Sequence, residues 1–129
     1  MLIKINKDSD LVRKIILLVS DELGEKFESV SLSEMTSYNW SYIILVSVAA
    51  INKTKQYVIK IPKINNQQRI TEAICNDDNA GQSLKEFKCL SKLYDNTGQK
   101  NKITVVRPLC YLSDINGILL EKMHGERLF

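Results

Sequence analysis

From Asp8 to about Phe27 the apolar residues Leu11, Val12, Ile15, Ile16, Val19, Leu23 and Phe27 recur at intervals of three and four, with polar and charged residues between them. That spacing predicts an amphipathic helix burying one face, with Asp8 or Ser9 capping its start. Ser29 to Leu32 reads as a short strand, and the polar stretch Ser33 to Asn39 as a loop. Ser41 to Ile51 carries Tyr42, Ile43, Ile44, Leu45, Val46, Val48 and Ile51. Its β-branched and aromatic content suits a pleated, half-buried surface. Asn52-Lys53-Thr54-Lys55 has the length of a hairpin turn, and Gln56 to Pro62 returns antiparallel, stopping at a proline that cannot donate to a ladder.

Residues 65 to 81 are rich in Asn, Gln and Asp and read as a loop, with a helical turn near Gln68 to Ile74. Leu84, Phe87, Leu90 and Leu93 then fall at three-residue steps among Lys and Glu, predicting a second amphipathic helix that ends near Tyr94, before Asn96-Thr97-Gly98. Lys102 to Leu112 reads as a strand interrupted by Pro108. Asp114-Ile115-Asn116-Gly117 is a strong turn signal before a last strand, Ile118 to Met123. The order gives an α+β domain: a five-stranded antiparallel sheet with one packed helix over residues 29–129, preceded by an N-terminal amphipathic helix within residues 1–28.

Composition narrows the function classes. The chain has 129 residues, 44% hydrophobic and 26% charged, enough for one folded domain with a core. The net charge of +3 is spread along the chain, without a block of like charge. Lysines and arginines gather at Lys4, Lys7, Arg13 and Lys14, and at Lys53, Lys55, Lys60 and Lys63, in the manner of solvated faces, so a nucleic-acid partner is weakly supported. Tyr42 and Tyr57 are the aromatic candidates for such a role, and no nucleic-acid-binding motif accompanies them. The three cysteines, Cys75, Cys89 and Cys110, are widely spaced, and the single histidine, His124, has no Cys-x-x-Cys pair beside it. Neither a disulfide framework nor a zinc site is indicated, and the thiols are expected to act as small core residues. Met1 opens no long apolar stretch, so the expectation is a cytoplasmic protein without a membrane partner.

The candidate chemistry centres on two charged residues. Lys60 lies near the end of a strand in Tyr57-Val58-Ile59-Lys60, and Glu86 lies on the following helix in Ser83-Leu84-Lys85-Glu86-Phe87. A carboxylate beside a lysine fixes a mobile ammonium and keeps it charged, which makes a preorganised anion clamp. After the helix come Ile103-Thr104-Val105-Val106-Arg107-Pro108-Leu109 and Gly117-Ile118-Leu119-Leu120-Glu121-Lys122-Met123-His124-Gly125-Glu126-Arg127-Leu128. In this order the segments resemble the small lobe of the kinase superfamily, and most closely the aminoglycoside phosphotransferase and small-molecule kinase family, over residues 29 to 128.

The resemblance implies a kinase-like small lobe that binds ATP with magnesium. Lys60 would hold the α- and β-phosphates and Glu86 would orient it. Val58 would sit over the adenine, Leu120 would guard the back of the pocket, and Glu121 and Met123 would bond the adenine edge through backbone carbonyl and amide, with Ile43 or Ile44 adding apolar surface. The family's phosphate-covering loop corresponds to Ser33 to Ser41, which lacks glycine; there Ser37, Asn39 and Ser41 could donate to phosphate, whereas Tyr38 and Trp40 depart from the pattern. The catalytic aspartate and the magnesium ligands of the family belong to its second lobe, so the resemblance implies a truncated, inactive lobe without catalytic residues of its own. Its hinge face would be covered by the missing lobe or by a dimer partner. The acceptor hydroxyl is not specified by these residues. The alternative is a non-catalytic protein-binding module with a kinase-like fold.

Overall fold

The computed structural model describes residues 2–5, 9–23, 29–50, 53–97 and 108–121. Strand β1 (Leu2–Ile3) precedes helix α1 (Asp10–Leu23), and β2 (Ser29–Ser37), β3 (Ser41–Ala50) and β4 (Lys53–Pro62) follow. A short helix α2 (Ile70–Ala73) leads to α3 (Asp77–Thr97), and β5 (Pro108–Leu112) and β6 (Gly117–Glu121) close the order around a 3₁₀ turn at Ser113–Ile115. The strands form one antiparallel sheet in the order β1-β2-β3-β4-β6-β5. The α+β class and antiparallel sheet are as expected, but the described residues form six strands rather than five: the two-residue β1 adds to the edge, pairing Leu2 with Thr36 and Ile3 with Met35. Two residues carry too little pattern to reveal a strand.

Two further expectations change. The polar stretch from Ser33 is not a loop: β2 runs to Ser37, with a register irregularity between Leu32 and Glu34. The extra residue there puts Leu32 and Met35, three apart, on one buried face and so breaks the alternation that would have marked a strand. Helix α3 begins at Asp77, inside the segment read as a loop, and runs to Thr97, past Tyr94. Leu84 and Leu93 are exposed, while Phe87 and Leu90 pack on the sheet. Of the strands read as Lys102–Leu112 and Ile118–Met123, residues 102–107 and 122–123 lie outside the described residues, as do Asp8 and residues 24–28 of the first helix.

Alternation divides the sheet into two faces. Tyr42, Ile44, Val46 and Val48 of β3, Tyr57, Ile59 and Ile61 of β4, and Leu119 of β6 lie on one face with Val12, Ile15 and Val19 of α1, forming the larger core. Ile43, Val58, Ile118 and Leu120 lie on the other, against Leu45, Phe87, Leu90 and Tyr111. Helix α1 thus buries its apolar face, as its periodicity predicts, in the core it shares with the sheet.

The turn before β6 is where backbone and packing meet. Asn116 takes the left-handed conformation at φ 52°, which asparagine tolerates better than most residues. Its side-chain amide donates to the carbonyls of Ala73 (2.9 Å) and Asn76 (3.1 Å). At the adjacent Gly117 a Cβ would stand 3.0 Å from Cγ2 of Ile59 and 3.2 Å from Cδ1 of Ile115, both fully buried. Gly117→Ala therefore overpacks this corner and is expected to cost about 1–3 kcal/mol, read as a lower urea midpoint with unchanged slope.

Two of the cysteines depart from the expected core role: Cys75 and Cys89 are exposed, whereas Cys110 is half-buried and packs against the larger core. Burial, then the charge and the hydrogen bond of Glu22, push the Cys110 thiol up to about 11 from 9.0. The protonated thiol is favoured by the fold, so its contribution is complete below pH 9 and is lost as pH rises toward about 11. At pH 8 a disulfide reagent is expected to consume Cys75 and Cys89 quickly and Cys110 slowly; equal rates for all three would contradict this.

Candidate functional site

Antiparallel partners share a face, so the register fixes which side chains lie in one row. Thr36, Ile43, Lys60, Ile118 and Tyr111 form one row across the sheet. Glu34, Leu45, Val58, Leu120 and Pro108 form the next. Lys60 therefore projects on the same face as Val58 and Leu120, one row away. The pairing of β4 with β6 is what brings the strand read as a hinge beside the lysine strand.

Helix α3 supplies the counter-charge. Lys60 Nζ stands 3.1 Å from Glu86 Oε2, with the two side chains 33% and 29% exposed. That oxygen is buried and has no hydrogen bond of good geometry, so the contact is charge against charge rather than an aligned hydrogen bond. Lysine, with its flexible stem, suits such a contact and can swing toward an incoming anion.

The remaining residues of the expected site divide. Val58 is fully buried and Leu120 is 8% exposed, beneath partly buried Leu45, Phe87, Leu90 and Tyr111. Ile43 belongs to this face and Ile44 to the opposite one, which selects Ile43 of the two. Glu121 pairs with Tyr57, so its side chain lies on the α1 face and only its backbone is available at the edge of the Lys60 face. Met123 lies outside the described residues.

The loop expected to cover phosphate is far smaller than a nine-residue span. Ser37 pairs with Tyr42, and the Tyr38 amide donates to the Ser41 carbonyl at 2.8 Å, leaving Asn39 and Trp40 as a two-residue tip. Ser37 is a correction. It shares the face of Tyr42, opposite Lys60, and its hydroxyl accepts a hydrogen bond from Lys63 Nζ at 2.7 Å. Ser41 pairs with Pro62 on the Lys60 face, and Asn39 is exposed at the tip. Thr36, in the row of Lys60, is the hydroxyl on β2 that the sequence did not disclose, because the irregularity near Ser33 shifts which β2 residues face which way. Tyr38 and Trp40 are 44% and 64% exposed.

Lys63 is a second correction: it is not part of a solvated face but 2% exposed. Its ammonium donates to Ser37 Oγ and to the Tyr38 carbonyl at 2.6 Å, and lies 4.4 Å from the centroid of the Tyr42 ring. It latches the β2–β3 tip to the end of β4. Among the described residues no group of three or more His, Cys, Asp or Glu side chains gathers as a metal site, so no magnesium ligand is assigned there. Nor is any helix among them long and apolar enough to cross a membrane.

No family model, curated protein or solved structure matches the chain.

Burial lowers the Lys63 ammonium below its ordinary 10.5. The fold then binds fewer protons than the unfolded chain between the lowered value and 10.5, so this residue's contribution to stability rises with pH across that window. Urea unfolding from pH 8 to 10.5 is expected to show wild type gaining on Lys63→Met as pH rises. A constant difference between the two would remove burial as the dominant effect.

Proposed function

We propose that this chain is the ATP-binding small lobe of a phosphotransferase of the small-molecule kinase type, which moves the γ-phosphoryl group of ATP to a hydroxyl of a small molecule. The contact between Lys60 Nζ and Glu86 Oε2 at 3.1 Å carries the reading. The two residues are 26 positions apart and sit on different elements, and an ion pair this exposed adds at most about 1 kcal/mol to stability. Folding alone gives it little purpose. As an anion clamp it has one: Glu86 holds the ammonium where phosphate oxygens arrive, and Lys60 neutralises their charge.

The sheet register supports the apolar half of the site. Val58 and Leu120 are directly paired on the same face as Lys60, so an adenine ring lying there would present its phosphates toward the lysine. Both are buried, so nucleotide entry requires the part-buried covering side chains of Leu45, Phe87, Leu90 and Tyr111 to give way. Ser41, Asn39 and the backbone of Glu121 complete the proposed contacts, with Met123 as the further hinge position. The catalytic base and magnesium ligands would come from a second lobe, and the residues here would bind and orient without turning over.

Titration of the protein with magnesium-ATP and with ADP, by calorimetry or chemical-shift mapping, is expected to give weak saturable binding. Lys60→Ala is expected to weaken it roughly tenfold or more, the size of a lost charge-assisted contact. No saturation at millimolar nucleotide, in wild type and variant alike, overturns the proposal. In that case the full burial of Val58 and the apolar tip formed by Tyr38 and Trp40 favour a non-catalytic protein-binding module. Trp40 is the single tryptophan, so its fluorescence reports occupation of that tip directly.

A further inference from the structure

Helix α3 is tied down by polar groups rather than by an apolar seam alone. Asn79, Ser83, Glu86 and Leu90 follow one another at spacings of four, three and four, so they lie along one stripe of the helix. Asn79 and Ser83 are fully buried. The Asn79 amide donates to the Pro62 carbonyl at the end of β4 (2.9 Å) and to Gln68 Oε1 (2.8 Å), and Asn79 Oδ1 accepts from the Gln68 amide (2.7 Å). Gln68 is itself fixed: its Oε1 accepts from the Ile64 amide (3.0 Å) and its carbonyl from the Tyr42 hydroxyl (2.6 Å). One turn along α3, the Ser83 hydroxyl donates to the carbonyl of Asn116 (2.6 Å).

We infer that this buried amide clamp, Asn79 with Gln68 and Ser83 with Asn116, sets the rotation and axial position of α3 and thereby holds Glu86 against Lys60. Asn79 and Ser83 are positioning residues for the anion clamp. The geometry gives the reason. Asn79 is bonded to the carbonyl of Pro62, two residues beyond Lys60 on the same strand, and Glu86 lies seven residues, about 10 Å, farther along the helix. A helix turns by about 100° per residue, so a slip of one residue would carry Glu86 off the face of Lys60. Apolar contacts such as those of Phe87 and Leu90 tolerate sliding, whereas a reciprocal amide pair permits one register. The role of this clamp in an enzyme rests on the proposed nucleotide site, but the positioning itself is testable without nucleotide.

The test reads the Lys60 amine directly, by its rate of reductive methylation followed by peptide mass spectrometry. A lysine held against a carboxylate is shielded from amine reagents. Glu86→Gln is expected to raise the Lys60 rate roughly two- to fivefold, as suits loss of a part-exposed ion pair. Asn79→Ala should raise it by a similar factor, and Glu86→Gln added to Asn79→Ala should give no further rise, because the pair is already broken. Ser83→Ala, which deletes a single hydrogen bond, gives the same direction with less risk to folding. Val19→Ala, a core cavity on the opposite face, controls for general destabilisation and should leave Lys60 unchanged.

An unaltered Lys60 rate in both Asn79→Ala and Ser83→Ala, with Glu86→Gln still raising it in those backgrounds, overturns the inference. So does an equal rise in Val19→Ala. A parallel nucleotide titration separates this outcome from failure of the functional reading: absence of ATP binding in wild type removes the kinase-type role but leaves the labelling result standing. If nucleotide binds, Asn79→Ala should weaken it in wild type and have no further effect in Lys60→Ala.

Discussion

The hydrogen-bonded pair of side-chain amides from Gln68 and Asn79 is the interaction on which the arrangement of this molecule turns. Buried amides are costly unless every donor and acceptor finds a partner. Here they bond each other and two backbone groups, the Pro62 carbonyl at the end of β4 and the Ile64 amide in the loop, while the Gln68 backbone carbonyl accepts from the Tyr42 hydroxyl of β3. A polar knot of this kind has one satisfied geometry, which apolar packing seldom enforces. The helix leaves it with its rotation fixed, and Glu86 arrives at Lys60 as a consequence.

The sheet provides the complementary constraint. Strand alternation sends Ile44, Ile59 and Leu119 toward α1 and Ile43, Val58, Ile118 and Leu120 toward α3, so the chain builds two apolar layers from the same strands. Lys60 lies on the face of the second layer, paired with Ile43 and Ile118. Lys63, three residues later, emerges on the opposite face and holds the β2–β3 tip through Ser37 and the Tyr38 carbonyl. Two lysines close in sequence thus have unlike surroundings: one, a third exposed, faces a carboxylate, and the other is enclosed by a hydroxyl, a carbonyl and an aromatic ring. That difference favours Lys60 as the residue available to an anion and assigns Lys63 to structure.

The proposed nucleotide site is compatible with this division of labour. The clamp needs a rigid strand for the lysine and a fixed helix for the carboxylate, and both are present. Its phosphate-covering element is a tight hairpin tip rather than a long loop, so contacts to phosphate from this side would come from Asn39, Ser41 and backbone amides, with the hydroxyl of Ser37 already engaged by Lys63. Tyr38 and Trp40 give the tip an apolar character that a phosphate-only role does not explain.

By itself the sequence determined the α1 helix, the antiparallel pairing of β3 with β4 though not its turn, since Lys53 to Lys55 belong to β4, the turn before β6 and the antiparallel α+β class, because each is written in local periodicity or turn chemistry at Val12-x-x-Ile15, Tyr42 to Val48 and Asn116-Gly117. Lys60 and Glu86 stand out in the sequence only through the order of segments that resembles a kinase small lobe, since each alone reads as an ordinary surface charge. The tertiary structure alone decided that they touch, that Ser37 faces away from them, that Lys63 is buried, and that α3 starts in a polar stretch resembling a loop. The physical reason is common to these cases. Polarity in a sequence signals exposure only when no partner awaits inside, and the partners of Asn79, Ser83 and Lys63 lie 11 to 33 residues away in the chain. One residue of irregularity in β2 was likewise enough to invert which of its side chains faces Lys60.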